Sequence, residues 1–325
     1  MATKDPEGAL PRDHDPRLRR ARLSLEGLAL GDAFGERFFV PDDEARRLVE
    51  DRVLPPPIWR YTDDTMMALG IVEVLDRHGR IDPDRLAEVF AKRFVADPGR
   101  GYGGMAQRLL SAFAAGEPWR EASAAVFDGQ GSYGNGAAMR AAPIGAYFAD
   151  DLDRVVDEAA TSAEVTHAHP EAVIGAAAVA LGAALAAGPA VGRERPWGGD
   201  FLDAVLEHLP DSLVRLEIEE ARSMPEAASP PVAALVLGSG NLLSAQDTVP
   251  FVLWSASRRT ARLDEALWQT VAGLGDRDTT CAMVGGIFGA GIDPSAGEDA
   301  ADAGVPPEWL RRREALPDGL AVFMP

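Results

Sequence analysis

Residues 65–78 read TMMALGIVEVLDRH, and they decide the fold class. Met66, Leu69, Ile71, Val72 and Leu75 fall near one face of a helix, so the spacing predicts an amphipathic helix and not a strand. Thr62, Asp63 and Asp64 stand ready to cap its first turn, and Gly79 to stop it. Similar runs occur at 84–95, 104–115, 151–165, 200–208 and 263–271. The most apolar stretch, 173–188 (VIGAAAVALGAALAAG), is shorter than the roughly 18–20 residues that span a bilayer, and it reads as a buried helix. Period-2 Val-rich windows and two-residue hairpin dipeptides are missing. The chain is therefore expected to be all-α.

The breaks at 54–58, 97–104, 129–136, 188–199 and 223–231 are short and rich in Gly and Pro, and none is long enough for an independent linker. One compact helical domain over 18–292 is expected, with a loose leader at 1–17 and a peripheral segment at 293–325. No repeat of fixed period is present.

The 325 residues carry 32 Lys+Arg against 51 Asp+Glu, a net charge of −19. Duplex nucleic acid and anionic membrane surfaces both need a basic footprint, so neither is an expected partner. With 46% hydrophobic and 26% charged residues the chain can build a large core. The single cysteine, Cys281, excludes an intrachain disulfide and any multi-cysteine zinc or iron–sulfur site, which fits a cytoplasmic compartment. The first 27 residues hold no continuous apolar segment of the secretory kind. A monomer is expected.

Two clusters concentrate hard oxygen ligands where helices start: Thr62, Asp63, Asp64 and Thr65, and Asp276, Asp278, Thr279 and Thr280. Carboxylates and hydroxyls without His or Cys suit Mg²⁺, Mn²⁺ or Ca²⁺. Two like charges about 4 Å apart repel by about 1 kcal/mol in water and more when partly buried, a reason to expect a cation between them. Asp and Thr also favour helix starts simply as caps, and spacing alone does not bring together clusters two hundred residues apart. The turn Ser132, Tyr133, Gly134, Asn135, Gly136 leads toward a helix and could present amides to a phosphate or serve as a plain connector. His167 and His169, two apart, would point to different helix faces, so polar contacts are expected of them and not metal ligation.

Taken in order, GLALGDAFG (27–35), YTDDT (61–65), GSYGNGAAMR (131–140), TH (166–167), QDTVP (246–250) and GDRDT (275–279) closely resemble the ADP-ribosylglycohydrolases. The resemblance implies an orthogonally packed all-α bundle with a binuclear centre of divalent cations, Mg²⁺ or Mn²⁺, at the bottom of a cleft. It implies Thr62, Asp63 and Asp64 on one metal, Asp276 and Thr279 on the other, and Asp278 bridging both. It implies further that Ser132, Tyr133, Gly134, Asn135 and Gly136 bind the diphosphate and distal ribose, with Tyr133 and His167 along the ADP-ribose. The implied substrate is ADP-ribose attached to a protein side chain or small conjugate. The implied reaction is metal-dependent hydrolysis of that bond, with Asp63 and Asp278 at the reacting end. Asp32 is expected to serve close helix packing and a contact behind the ligands.

The pattern departs after Gly35. Relatives that cleave serine-linked ADP-ribose carry a functional glutamate a few residues on, whereas here Glu36 follows at once and Phe38 and Phe39 come next. Glu36 either takes that role or faces solvent, and Asp97 is the second candidate for a general base. The competing readings are an ADP-ribose-binding module without turnover and a metal phosphatase on related nucleotides.

Overall fold

The computed structural model describes residues 10–260, 262–293, 295, 301 and 304–323. From the N-terminus, α1 (His14–Gly35) is followed by α2 (Asp42–Glu50), α3 (Asp63–His78), α4 (Pro83–Ala96) and α5 (Gly104–Ala114). Three short pieces, α6 (Trp119–Ala124), α7 (Val126–Gly129) and α8 (Ala142–Tyr147), carry the chain to α9 (Leu152–Glu164) and α10 (Pro170–Ala186). Then come α11 (Gly198–Leu206), α12 (Leu213–Ser223), α13 (Pro230–Leu237), α14 (Ala245–Ser257), α15 (Leu263–Val271), α16 (Arg277–Ala290) and α17 (Pro307–Arg312). Among the described residues there is no strand, only the isolated bridge pairs Trp59–Arg313 and Gly134–Ser244. The all-α expectation holds, and each predicted window is helical with its ends shifted by a few residues.

The centre of the bundle is α1 lying against α16, and glycine makes it possible. A methyl at Gly27, Gly31 or Gly35 would sit 2.1, 2.0 or 2.1 Å from the carbonyl oxygen of Gly285, Cys281 or Arg277 respectively. The two series run in opposite directions at four-residue steps, so the helices are antiparallel and touch backbone to backbone. That contact places Asp32 of α1 beside the start of α16. α3 packs on α1 from another side and starts at the same level: Thr62 caps it by accepting from the Asp64 amide, and Gly79 in the left-handed region (φ 62°) ends it. α10 is buried over nearly its whole length, as its composition predicts.

Both ends are more deeply embedded than their composition suggests. α1 starts at His14, inside the segment expected to be a leader. There His14 Nδ1 lies 2.7 Å from the Tyr147 hydroxyl, and Arg17 pairs with Asp13 and Asp150. Residues 1–9 of that segment lie outside the described residues. In the segment expected to be peripheral, Trp309 stacks on Phe34 with ring centres 4.5 Å apart and meets Trp59 and Trp268 edge-on. Arg313 forms a buried pair with Glu26 at 3.0 Å, and the Val322 amide donates to the same carboxylate. A few large side chains among Pro and Asp were enough to dock this arm.

Candidate active site and metal centre

The starts of α3 and α16 converge on Asp32. Fully buried, its carboxylate accepts from the amide and hydroxyl of Thr62 at 2.9 Å each, and from the Thr65 amide at 3.1 Å and hydroxyl at 2.5 Å. One carboxylate oxygen from each of Asp32, Asp64 and Asp278 fits within 4.8 Å of the others. Asp64 Oδ2 accepts from Thr62 Oγ1 at 3.1 Å and Thr279 Oγ1 at 3.4 Å, while its buried Oδ1 has no partner. Asp278 accepts from the Thr279 amide at 2.8 Å, and Asp276 Oδ2 accepts from Asn135 Nδ2 at 2.7 Å. The two motifs thus meet across two hundred residues, with Asp32 at the junction.

These carboxylates are held out of water beside one another. Burial pushes Asp64 and Asp278 well above the usual carboxylate range, and neighbouring carboxylates push the same way. Asp63 is raised to about 7 by burial and by Asp32. Asp32 rises only to about 6, because hydrogen bonds from Thr65 and Thr62 offset part of the burial. Asp276 is raised by burial, with the Asn135 amide opposing. The leading influences are burial, like charges and neutral donors, with no cation among them. An all-oxygen donor set with an orphaned buried oxygen and uncompensated like charges fits a hard divalent cation.

Opposite the carboxylates lies the glycine turn. It is pinned by the Asn135 amide donating to Leu243 O at 3.1 Å, the Ala245 amide to Tyr133 O at 3.0 Å and the Gly134 amide to Ser132 Oγ at 3.2 Å. His167 fills the space beneath: a methyl at Gly136 would come 2.9 Å from its Cε1, and one at Gly134 3.3 Å from its Nε2. Burial drives the imidazole down to about 3, helped by Arg140 nearby, so the ring is neutral. Its Nδ1 lies 2.7 Å from Thr166 Oγ1. Between turn and carboxylates is a cavity of about 430 Å³ lined by Asp63, Asp64, Asp276, Asp278 and Thr279 on one side and by Ser132, Tyr133, Gly134, Asn135, Gly136 and His167 on the other. Phe127, Leu242 and Leu243 close one rim, and Gly101, Gly103, Gly104 and Met105 form another wall.

Residues 13–322 match the family model described as ADP-ribosylglycohydrolase. The chain belongs to the ADP-ribosylglycohydrolase family. It is 30% identical to the ADP-ribosylhydrolase ARH3 of Gallus gallus over 351 residues, covering 91% of this chain and 89% of that one. The protein of the same name from Homo sapiens is 30% identical over 317 residues, covering 84% and 85%. A solved structure titled ADP-ribosylglycohydrolase-related protein complex shares the fold, with a TM-score of 0.56, 24% identity and coverage of 92% and 94%.

Within this member of the family the positions read from the sequence do not all stand alike. Asp63, Asp64, Asp276, Asp278 and Thr279 face the cavity, whereas Thr62 is buried behind them, turned to Asp32. Glu36 is exposed, on a single 3-10 turn after α1, and is absent from the cavity wall; local burial and Asp32 raise its carboxyl. Asp97 is engaged by Arg100 at 2.7 Å and by Arg60 at 3.8 Å, outside the cavity. His169 packs edge-on against Tyr133 and caps α10. Sequence reasoning left Asp32 in a supporting role and passed over Phe127, Leu242 and Leu243. The glycines of 97–104 were the one available signal for the facing wall.

Proposed function

We propose that this chain is a metal-dependent hydrolase that cleaves the N- or O-glycosidic bond between ADP-ribose and an acceptor, releasing ADP-ribose. One observation carries the reading: the cavity joins an all-oxygen carboxylate cluster, with the Asp64 Oδ1 atom unpartnered, to a glycine turn suited to a diphosphate. Thr62, Asp63 and Asp64 would hold one Mg²⁺ or Mn²⁺, Asp276 and Thr279 a second, with Asp278 serving both. Bound there, divalent cations supply Lewis acidity toward ribose oxygens and water.

The protein's own groups do the rest. Asp32 fixes Thr62 and Thr65 through four hydrogen bonds, and Asn135 ties the turn to Asp276. The turn's amides other than those of Gly134 and Asn135, which are already engaged, take the diphosphate, and the neutral His167 hydrogen-bonds a ribose hydroxyl through Nε2. The rings of Phe127 and Tyr133, 24° from parallel with centres 6.3 Å apart at the cavity mouth, suit a planar base. At the reacting end the bond from ribose C1 to the acceptor breaks and a water oxygen bonds to C1. One water proton passes to a carboxylate, Asp63 on the wall or Glu36 on the turn after α1 outside it, and is handed on to the acceptor, directly or through solvent, so that the acceptor leaves protonated.

The test is a panel of arginine-, serine- and nucleobase-linked ADP-ribose incubated with the chain in Mg²⁺, Mn²⁺ or EDTA. ADP-ribose is expected to be released from at least one substrate, only where a cation is present. Binding of ADP-ribose without release from any of them would make the chain a binding module. Inorganic phosphate as the product would make it a phosphatase.

A further inference from the structure

A second cavity, of about 600 Å³, opens where α11, α12, α14 and α15 meet, and it shares no lining residue with the cleft. Leu202, Ala221, Trp254 and Ser257 are its buried floor, and Trp197 stands at its wall. Arg222, Arg258 and Arg259 line it with one acid, Glu226, and Asp203 pairs with Arg222 from outside the lining, which leaves guanidinium in excess over carboxylate on a chain of net charge −19.

The arginines are placed by specific packing. A methyl at Gly199 would come 2.8 Å from Arg222 Cζ, so that glycine is what lets the guanidinium lie against the start of α11, where Asp203 accepts from its Nε at 2.9 Å. Arg258 lies 4.8 Å from the centre of the Trp254 ring and donates to Glu226 O at 3.1 Å. Arg259 is exposed and makes no ion pair among the described residues. Arg195 covers one side of the Trp197 ring at 4.0 Å. Trp197 is also the N-cap of α11 and offers no side-chain acceptor there, so the first amides of the helix lack a side-chain cap at this end, with Asp200 in the same turn.

Clustered guanidiniums select an anionic group, indoles select a flat ring, and the volume lies in the range of small-ligand sites. We propose that this cavity binds a nucleoside monophosphate, with the phosphate among Arg222, Arg258 and Arg259 and the base against Trp197. The proposal stands apart from the catalytic reading, since the two sites share no residue.

The experiment titrates AMP by calorimetry into the full chain carrying Gly134→Val, which obstructs the cleft, and into that chain carrying Arg258→Ala and Arg259→Ala as well. Circular dichroism checks that both are folded. AMP is expected to bind the first and to bind the second at least tenfold more weakly. In the otherwise unaltered chain the two arginine changes should leave ADP-ribose release unchanged. Absence of AMP binding to the Gly134→Val chain at millimolar concentration overturns the proposal, as does equal binding by both chains. Inorganic phosphate binding as tightly as AMP would remove the base, and with it the nucleotide, from the site.

Discussion

Asp278 belongs at once to the buried triad and to the cavity wall. Asp278→Asn keeps the side-chain volume and removes a charge that the cations would need, so cation affinity and hydrolysis should fall together by orders of magnitude while the fold persists. Calorimetry with Mn²⁺ beside a release assay checks this, and normal turnover would remove Asp278 from the mechanism. A thermal consequence follows from the carboxyls that the fold raises. Each binds its proton more readily folded than unfolded, so its stabilisation is complete below the ordinary value near 4 and is lost as pH rises through the folded one. Asp32 crosses near 6 and Asp63 near 7, with Asp64 and Asp278 raised well above their ordinary value. His167, held down to about 3, works in the opposite sense as pH falls from about 6.5, so the window above 6.5 isolates the carboxyls. In EDTA and moderate salt, which screens the general negative charge, Tm should therefore fall from pH 6.5 to 8. Saturating Mg²⁺ should remove most of that slope and Asp278→Asn should reduce it, whereas a flat profile in EDTA would contradict the raised carboxyls.

The glycine seam of α1 and α16 sets the position of Asp32. A methyl at Gly31 improves helix propensity by about 1 kcal/mol. It also lands 2.0 Å from the Cys281 carbonyl oxygen, against backbone that has no rotamer to yield. The clash should win, and Gly31→Ala should lose about 3 kcal/mol or more in denaturant unfolding. An unchanged midpoint would show that the helices separate easily. The glycine turn is a milder case: at Gly134 a side chain meets Ser132 Oγ and His167 Nε2 only at 3.3 Å, so Gly134→Val should fold and should lose at least tenfold in ADP-ribose affinity by calorimetry. Helices such as α3 and α15 were legible in the sequence because each carries one apolar face and clear punctuation. α14 was not, since Pro250 lies inside it, and neither was the seam, because a contact of glycine with carbonyl leaves no hydrophobic periodicity. The oxygen clusters were legible as chemistry and not as a place. What joins them is Asp32, whose importance lies in hydrogen bonds to Thr62 and Thr65 that no spacing rule encodes.

The termini bind the bundle into one unit. Arg100 donates to Tyr61 O at 2.9 Å, lies 4.6 Å from the centre of the Tyr61 ring, and forms a two-pronged pair with Glu314 at 2.7 and 2.8 Å. The C-terminal arm thereby steadies both the residue before Thr62 and the glycine wall of the cavity. Glu314→Gln should reduce kcat about tenfold, or about 1.4 kcal/mol, with KM less affected. A loss confined to Tm would limit the pair to stability. Composition hid this arm, because its Pro and Asp content resembles a tail while its docking depends on Trp309, Arg313 and Glu314. Three of the chain's six tryptophans, Trp59, Trp268 and Trp309, converge around Phe34. Indoles so close couple their electronic transitions, and the chain thus carries an optical gauge of its own: a near-ultraviolet dichroism signal that weakens, and an emission that moves to the red, when the arm lifts away and water reaches the rings.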